Sequence, residues 1–541
     1  MKSRRSFLAE TAAYTTLGAL TGCGSPVPSG GEAGREPLTP SWPTPLLMPD
    51  DFSELHLTAW RVEPGTPDPE NPLLEGDMPW DSGGIGIHGS VFKDPRNGRW
   101  KAYLVATPPE ETAVDWRSPW ASNNHSKRRL CLFESDDGVR WSRPSLSNAS
   151  FGPHEKTNII FDLDQGTAAY SSVMVDTGDV DLPYEMYVLR WASVEGKTPA
   201  GTGYYRYRSR DGYHWELSGE PIYDPMSGDL CYFYRYGPGE YVAYYRLGGK
   251  KQPGDHVPIY EDAPRRTVYR ATSEDGEVWT RDESMILTLD ERDHRDTQYQ
   301  ELVPHRVPGG YLGMVTMYWP LTQTLNLRVA ASRDGRRWWY PDRRPCLDNA
   351  PLGEYGGGMI WQSQYLAEEG NRLHLYYGGT EGAHRQIFDT RAPSQQVGYL
   401  ENAIDHGAHF LPFNSALCRA SWRLGRMYAL IPSAGGPTLG MAVTRDQDLA
   451  NRSLRVNMVT RPAKKSSKPD LDAGYLQVEL LDSEDRPLDG FTRKDCGPLK
   501  GEHAALRVSW RGGDRAPEGA RKAKFYLKRT FLYGFEFQIN S

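Results

Sequence analysis

The chain has 541 residues, a formal net charge of −7 at pH 7 and 25% charged residues. That balance supplies no basic field for a phosphate backbone, so nucleic acid is not an expected partner. The length is enough for two or three domains with a sizeable core. The 16 Trp and 31 Tyr suit β-structure and sugar stacking alike, and do not choose between them.

The N-terminus reads as a targeting segment. Ser3-Arg4-Arg5-Ser6-Phe7-Leu8 resembles the twin-arginine export motif. A mildly apolar run from Ala12 to Leu20 follows, too short and too polar to span a bilayer. Leu20-Thr21-Gly22-Cys23 resembles a bacterial lipobox, whose Cys carries lipid after cleavage. These resemblances imply an exported, cell-envelope protein that meets the membrane only through a lipid anchor at Cys23. The alternative is an ordinary cleaved signal with Cys23 incidental. Residues 24 to 45 are rich in Ser, Pro and Gly and read as a tether. Five further cysteines, Cys131, Cys231, Cys346, Cys418 and Cys496, are scattered and form no Cys-x-x-Cys pair. They point to neither a disulfide framework nor a zinc site, and are expected as small buried apolar residues.

From 46 to 400 the chain shows short strands and turns with almost no helical periodicity. One pattern, Ser-x-Asp-Gly-x-x-Trp, starts at Ser135, Ser209, Ser273 and Ser332. Asp-Gly between strand-like runs is a hairpin signal: Gly takes positive φ and Asp bonds nearby amides. The Trp after the turn can pack on the neighbouring unit. Ahead of each turn runs an aromatic-rich strand, beginning at Trp100, Tyr184, Tyr241 and Tyr311. A fifth such strand, Leu373-His374-Leu375-Tyr376-Tyr377, has no turn after it. Recurrence of one supersecondary unit predicts a five-bladed β-propeller over 46–400. A long β-sandwich with recurring hairpins is the alternative.

After 401, Leu417–Trp422 and Arg426–Leu430 read as paired strands. Runs at 475–481, 505–510, 524–528 and 532–537 alternate with period two between turns. They predict a C-terminal β-sandwich over 401–541. The fold class expected is all-β.

Propellers bind ligands where the inner strands converge, so the residue opening each inner strand matters most. Alignment on the aromatic strands gives His88, Tyr170, Asp229 and Glu301 for the first four blades. Glu354 precedes the fifth, and Asp81 lies in the loop before the first. A converging acidic set suits glycosidic bond cleavage. One carboxyl of raised pKa protonates the leaving oxygen, and a second activates water or attacks carbon. For any single acid, a turn cap or a salt bridge is the simpler reading.

These residues resemble the five-bladed propeller glycoside hydrolases of families 32 and 43. Gly228-Asp229-Leu230-Cys231-Tyr232-Phe233 resembles that superfamily's Asp-Pro inner strand, and Glu301-Leu302-Val303-Pro304 its Glu-Gly-Pro strand. The terminal strands resemble the sandwich that follows the propeller in family 32. The resemblance implies hydrolysis of an oligosaccharide or polysaccharide without a cofactor. Glu301 would be general acid and Asp229 transition-state stabiliser or pKa modulator; Asp81, beside Trp80 in the loop before the first blade, stands in as base or nucleophile, with Glu354 the replacement for whichever fails. The family's first-blade Asp is replaced here by His88, and Asp229 lacks the following Pro. His88 would bind a sugar hydroxyl or a central structural calcium, or be a satisfied inner-strand histidine. Tyr170, Glu354, Arg292, Arg295, Trp80, Trp319 and Trp361 complete the expected substrate contacts, and no metal site is otherwise expected. Each Trp is alternatively blade packing, and the charged run Asp290–Asp296 a solvated loop. The turn also resembles the Asp-box of sialidases, one residue short. Arg265, Arg266, Arg292 and Arg295 keep a carboxylate sugar open. A non-catalytic carbohydrate-binding lipoprotein is the reading from another class.

Overall fold

The computed structural model describes residues 42–108, 128–161, 167–191, 203–222, 230–247, 266–282, 284–287, 289–294, 297–319, 322–351, 353–383, 415–433, 438–461 and 473–539. The export motif, Cys23 and most of the tether lie outside them. Among the described residues, no helix is long and apolar enough to cross a membrane.

Among the described residues, apart from one short 3-10 turn, the regular elements are strands. Five of them are the inner strands of five blades: Ile85–Lys93, Thr167–Val175, Leu230–Gly237, Gln298–Val307 and Met359–Glu369. Each pairs antiparallel with the aromatic strand that follows it. The inner strands pack on one another in order, and the fifth returns onto the first. That closed ring makes this a five-bladed propeller and not a long sandwich. At the centre, one side chain ties four blades together. Gln364 of blade five accepts from Ser90 Oγ (2.6 Å) and the Val173 amide (2.9 Å), and its Nε2 donates to the Phe233 carbonyl (2.6 Å).

The repeated turn explains how the blades hold each other. Ser135 Oγ accepts from the Gly138 amide, and Asp137 Oδ1 accepts from the amides of Val139 and Arg140, both at 2.8 Å. Those amides hold the Asp137 carboxyl down at about 2. Gly138 sits at φ +70, where a Cβ would strike the Tyr376 hydroxyl, so glycine is required. The turn carbonyl then receives a tyrosine from the preceding blade: Tyr103 donates to Gly212, Tyr187 to Gly276, Tyr244 to Gly335, and Tyr376 to Gly138, at 2.7–3.0 Å. The turn tryptophans Trp215, Trp279, Trp338 and Trp141 lie edge-on against the same tyrosines. The fourth aromatic strand has Met314 at the tyrosine position. Blade four faces blade five, which lacks the turn, so a tyrosine there would have no carbonyl to meet.

Blade five is completed from a distance. Its third strand is Ser415–Arg423, and its outermost strand is Thr66–Pro67, from before blade one. An ion pair between Arg419 and Asp68 pins that closing strand. Residues 415–423, expected in the sandwich, therefore belong to the propeller. Its expected partner strand, Tyr428–Pro432, pairs instead with Thr58–Val62. The turn of Leu424 to Met427 carries the chain from one domain into the other.

The sandwich stacks a sheet containing Phe52–His56, Leu439–Thr444, Lys522–Lys528 and Tyr475–Leu481 on one containing Thr58–Val62, Tyr428–Pro432, Thr530–Ile539, Arg452–Thr460 and Glu502–Arg507. Its core is Leu454, Val456, Leu476, Val478, Phe525, Leu527 and their neighbours. Two of its strands thus precede the propeller in sequence, a non-local pairing that local periodicity does not reveal. Trp60 of the sandwich meets Trp339 of blade four edge-on at 4.8 Å and Tyr428 at 6.1 Å. The cysteines Cys131, Cys231, Cys346, Cys418 and Cys496 are all buried.

Candidate active site

Strand register sets which inner-strand residues share a level. Gly89, Ser171, Cys231, Leu302 and Gln362 each face the fifth residue of their aromatic strand. One step earlier stand His88, Tyr170, Leu230, Glu301 and Trp361. In blades one, two and four the pairing shifts at or beside this level, so a bulge turns the side chain out of the regular pleat. His88 and Tyr170 sit in the left-handed region, at φ 54 and φ 50. Residues other than glycine are strained there, by about 1–3 kcal/mol, and such strain clusters at functional sites.

The level is a contact cluster. The His88 ring lies 4.3 Å from Tyr170 and 4.2 Å from Trp361, edge-on to both. Its Nδ1 is 3.7 Å from Glu301 Oε2. His88 is 2% exposed and Glu301 3%. Oε1 of Glu301 accepts from the Thr316 hydroxyl at 3.0 Å, from the strand position opposite. Oε2 has no hydrogen-bond partner among the described residues, and neither has His88 Nδ1.

Burial decides the protonation states. It pushes the Glu301 carboxyl up to about 8, opposed by the hydrogen bond from Thr316, the nearby Tyr232 hydroxyl and the charge of Arg246. Glu301 is therefore largely a neutral acid at pH 7. Burial pushes His88 the other way, well below its ordinary value, and the charges of Arg128 and Arg246 add to this, so the imidazole is neutral. Arg246 is buried beside the site, and burial followed by repulsion from Arg266 lowers its pKa to about 9. Both guanidiniums donate to one oxygen, Gln300 Oε1, at 2.9 and 2.8 Å. Arg266 also lies over the Tyr318 ring at 4.2 Å.

The other expected residues fall as follows. Asp229 and Arg295 lie outside the described residues, and Leu230 holds blade three's place at the Glu301 level. Asp81 is fully buried, with Oδ1 accepting from the Met78 amide and Oδ2 from Arg143 Nε, both at 2.8 Å. Burial raises its pKa, opposed by Arg143 and the Met78 amide. Trp80 is buried, donates to Asn158 at 2.7 Å and packs on Phe151 and His154. Trp319 is half-buried, donates to Asn326 and lies near Arg328. Arg292 is exposed and paired with Asp290. The run around it is anchored: Asp293 is buried and bonded by Arg328 at 2.8 Å. Glu354 is exposed on the rim of a separate cavity of about 510 Å³, with Asp348, Tyr355 and Glu381. The structure thus brings Glu301, His88, Tyr170 and Trp361 together, and puts Asp81, Trp80, Arg292 and Glu354 in other surroundings. Thr316, Tyr232, Arg246 and Gln300 were not foreseen. Thr316 and Arg246 lie on aromatic strands opposite the level, a register that only strand pairing reveals.

No three His, Cys, Asp or Glu side chains among the described residues converge as metal ligands. Around His88 stand two aromatic rings and one neutral carboxyl, a poor set for calcium, which takes six to eight oxygens.

No family model matches the sequence. No curated protein matches it. Solved structures do resemble it in part. A β-1,2-mannobiose phosphorylase from Listeria innocua, complexed with β-1,2-mannobiose, is 14% identical, with 67% of this chain and 98% of that one covered at a TM-score of 0.43. A putative glycosidase from Bacteroides thetaiotaomicron is 17% identical, with 58% and 92% covered at 0.39. A thermostable family-43 glycoside hydrolase is 14% identical, with 55% and 85% covered at 0.37.

Proposed function

We propose that this protein hydrolyses glycosidic bonds of an oligosaccharide or polysaccharide at the head of the propeller's inner strands. The observation that carries this reading is Glu301: a carboxyl of pKa about 8 with one oxygen unpartnered among the described residues, set with His88, Tyr170 and Trp361. A carboxyl that keeps its proton near neutral pH is what protonation of a leaving oxygen requires. Beside His88, Trp361 and Tyr170 place aromatic rings, the side-chain type that packs on sugar rings. Asp229 is assigned as transition-state stabiliser. Asp81 is assigned as base or nucleophile, which requires it to part from Arg143 and to reach the Glu301 cluster, with Glu354 as its replacement. The export motif and Cys23 support delivery to the cell envelope on a lipid anchor.

The near-complete burial of Glu301 favours a second reading, carbohydrate binding without chemistry. The protein lacking residues 1–23 and its Glu301→Gln variant, incubated with a panel of oligosaccharides, separate the two. Sugar release by the wild type and its loss in the variant supports hydrolysis. Equal release by both removes Glu301 from the mechanism. Binding without release by either supports the second reading.

A further inference from the structure

Two buried polar atoms with no hydrogen-bond partner among the described residues face each other here: Nδ1 of His88 and Oε2 of Glu301, 3.7 Å apart. Native proteins rarely leave such atoms unpaired, and the exceptions call for a reason. The donor inventory supplies one. Oε1 of Glu301 is occupied as an acceptor from Thr316, so the carboxyl proton belongs on Oε2. If His88 Nδ1 were the bare nitrogen, the O–H and that nitrogen would close to about 2.7 Å. They stand an ångström farther apart, which is how two donors stand. Two donors aimed at one point are satisfied together when an oxygen with two lone pairs enters between them. An oxygen about 2.8 Å from each closes a triangle on the observed gap.

The backbone supports this aim. His88 holds a strained left-handed conformation at a bulge, clamped on both sides by Tyr170 and Trp361. A histidine that merely filled space would not need that strain.

We propose that the leaving-group oxygen of the glycosidic bond seats between Glu301 Oε2 and His88 Nδ1–H, making His88 a second catalytic residue that donates a hydrogen bond to that oxygen. The proposal rests on the reading of Glu301 as the acid. As the carbon–oxygen bond breaks, its electron pair goes to the leaving oxygen, which takes the proton of Glu301. The Nδ1–H donates throughout and is not transferred. Water supplies the hydroxyl to the sugar carbon and its proton to the assigned base.

The test compares methyl and dinitrophenyl glycosides of arabinose, xylose, mannose and fructose. The wild type is measured beside Glu301→Gln, His88→Phe and His88→Asn, with thermal melts confirming that each is folded. A dinitrophenolate departs without help, so it needs neither donor. His88→Phe is expected to lose about 100-fold in kcat on methyl glycosides and little on dinitrophenyl glycosides. His88→Asn, whose amide places an N–H near the Nδ1 position, is expected to recover most of that loss. A structural role would instead lower both substrates alike and would not be rescued. If Glu301→Gln shows the leaving-group dependence while His88→Phe matches the wild type on both, the role of His88 is overturned and the acid stands. If Glu301→Gln also matches the wild type, or if the wild type cleaves nothing, the acid reading falls and this proposal with it.

Discussion

Replacing Glu301 by Gln is expected to make the protein more stable while it loses activity, and the size of the effect follows from burial. In the unfolded chain this carboxyl ionises near its ordinary value of 4.5, but in the fold it holds its proton to about 8. Between those values the folded state binds a proton that the unfolded state has released. Stability therefore falls as pH rises from 4.5 towards 8. At pH 7 the penalty is about 2.5 × 1.36, or roughly 3 kcal/mol, and at pH 5 it is below about 1 kcal/mol. A glutamine amide has no such penalty and can still accept from Thr316. The stability gap between variant and wild type should then widen by about 2 kcal/mol or more from pH 5 to pH 7.5. Urea unfolding followed by tryptophan fluorescence at the two pH values measures it. A gap that does not change with pH would mean that Glu301 ionises like an ordinary carboxylate, and the acid assignment would lose its physical basis.

If Glu301 donates the proton, kcat on methyl glycosides should fall above pH 8, and Glu301→Gln should abolish that alkaline limb; a wild-type profile flat to pH 9.5 would contradict it. Tyr187→Phe leaves the Gly276 carbonyl without its inter-blade donor and should lower stability by about 1–2 kcal/mol, read as a shift in urea midpoint. Met314→Tyr should give no matching gain, because blade five offers no turn carbonyl. Arg419→Ala should free Thr66–Pro67 from the last blade, seen as faster amide hydrogen exchange in residues 415–423 with blade two unchanged.

The repeat was legible because its physics is local. Ser-x-Asp-Gly-x-x-Trp binds its own amides and needs one positive-φ glycine, so each copy can be read without knowing its neighbours. The aromatic strands are equally local, and their count predicted the blades. Glu301 and His88 were legible for the same reason: each lies at a countable distance before an aromatic strand, although in the fold each is the fourth residue of its inner strand and not the first. Trp361 entered as a possible stacking residue, but that it shares the level of His88 and Glu301 follows only from the pairing of Gln362 with Tyr377.

What stayed hidden depends on chain segments far apart in sequence. The last blade borrows Thr66–Pro67 from more than 300 residues away, and the sandwich borrows Phe52–His56 and Thr58–Val62; no periodicity records a partner. The reading of the 417–422 run as a strand was right, but a strand's own residues do not say which sheet it joins. Asp81, conspicuous beside Trp80, meets Arg143, whose approach depends on the packing of blade one. The sequence by itself determined the strands, the turns and the repeat, because these depend on backbone preference and nearest neighbours. Only the tertiary structure decided that Glu301 stays protonated and faces His88, because burial and the direction of a side chain are properties of the closed ring.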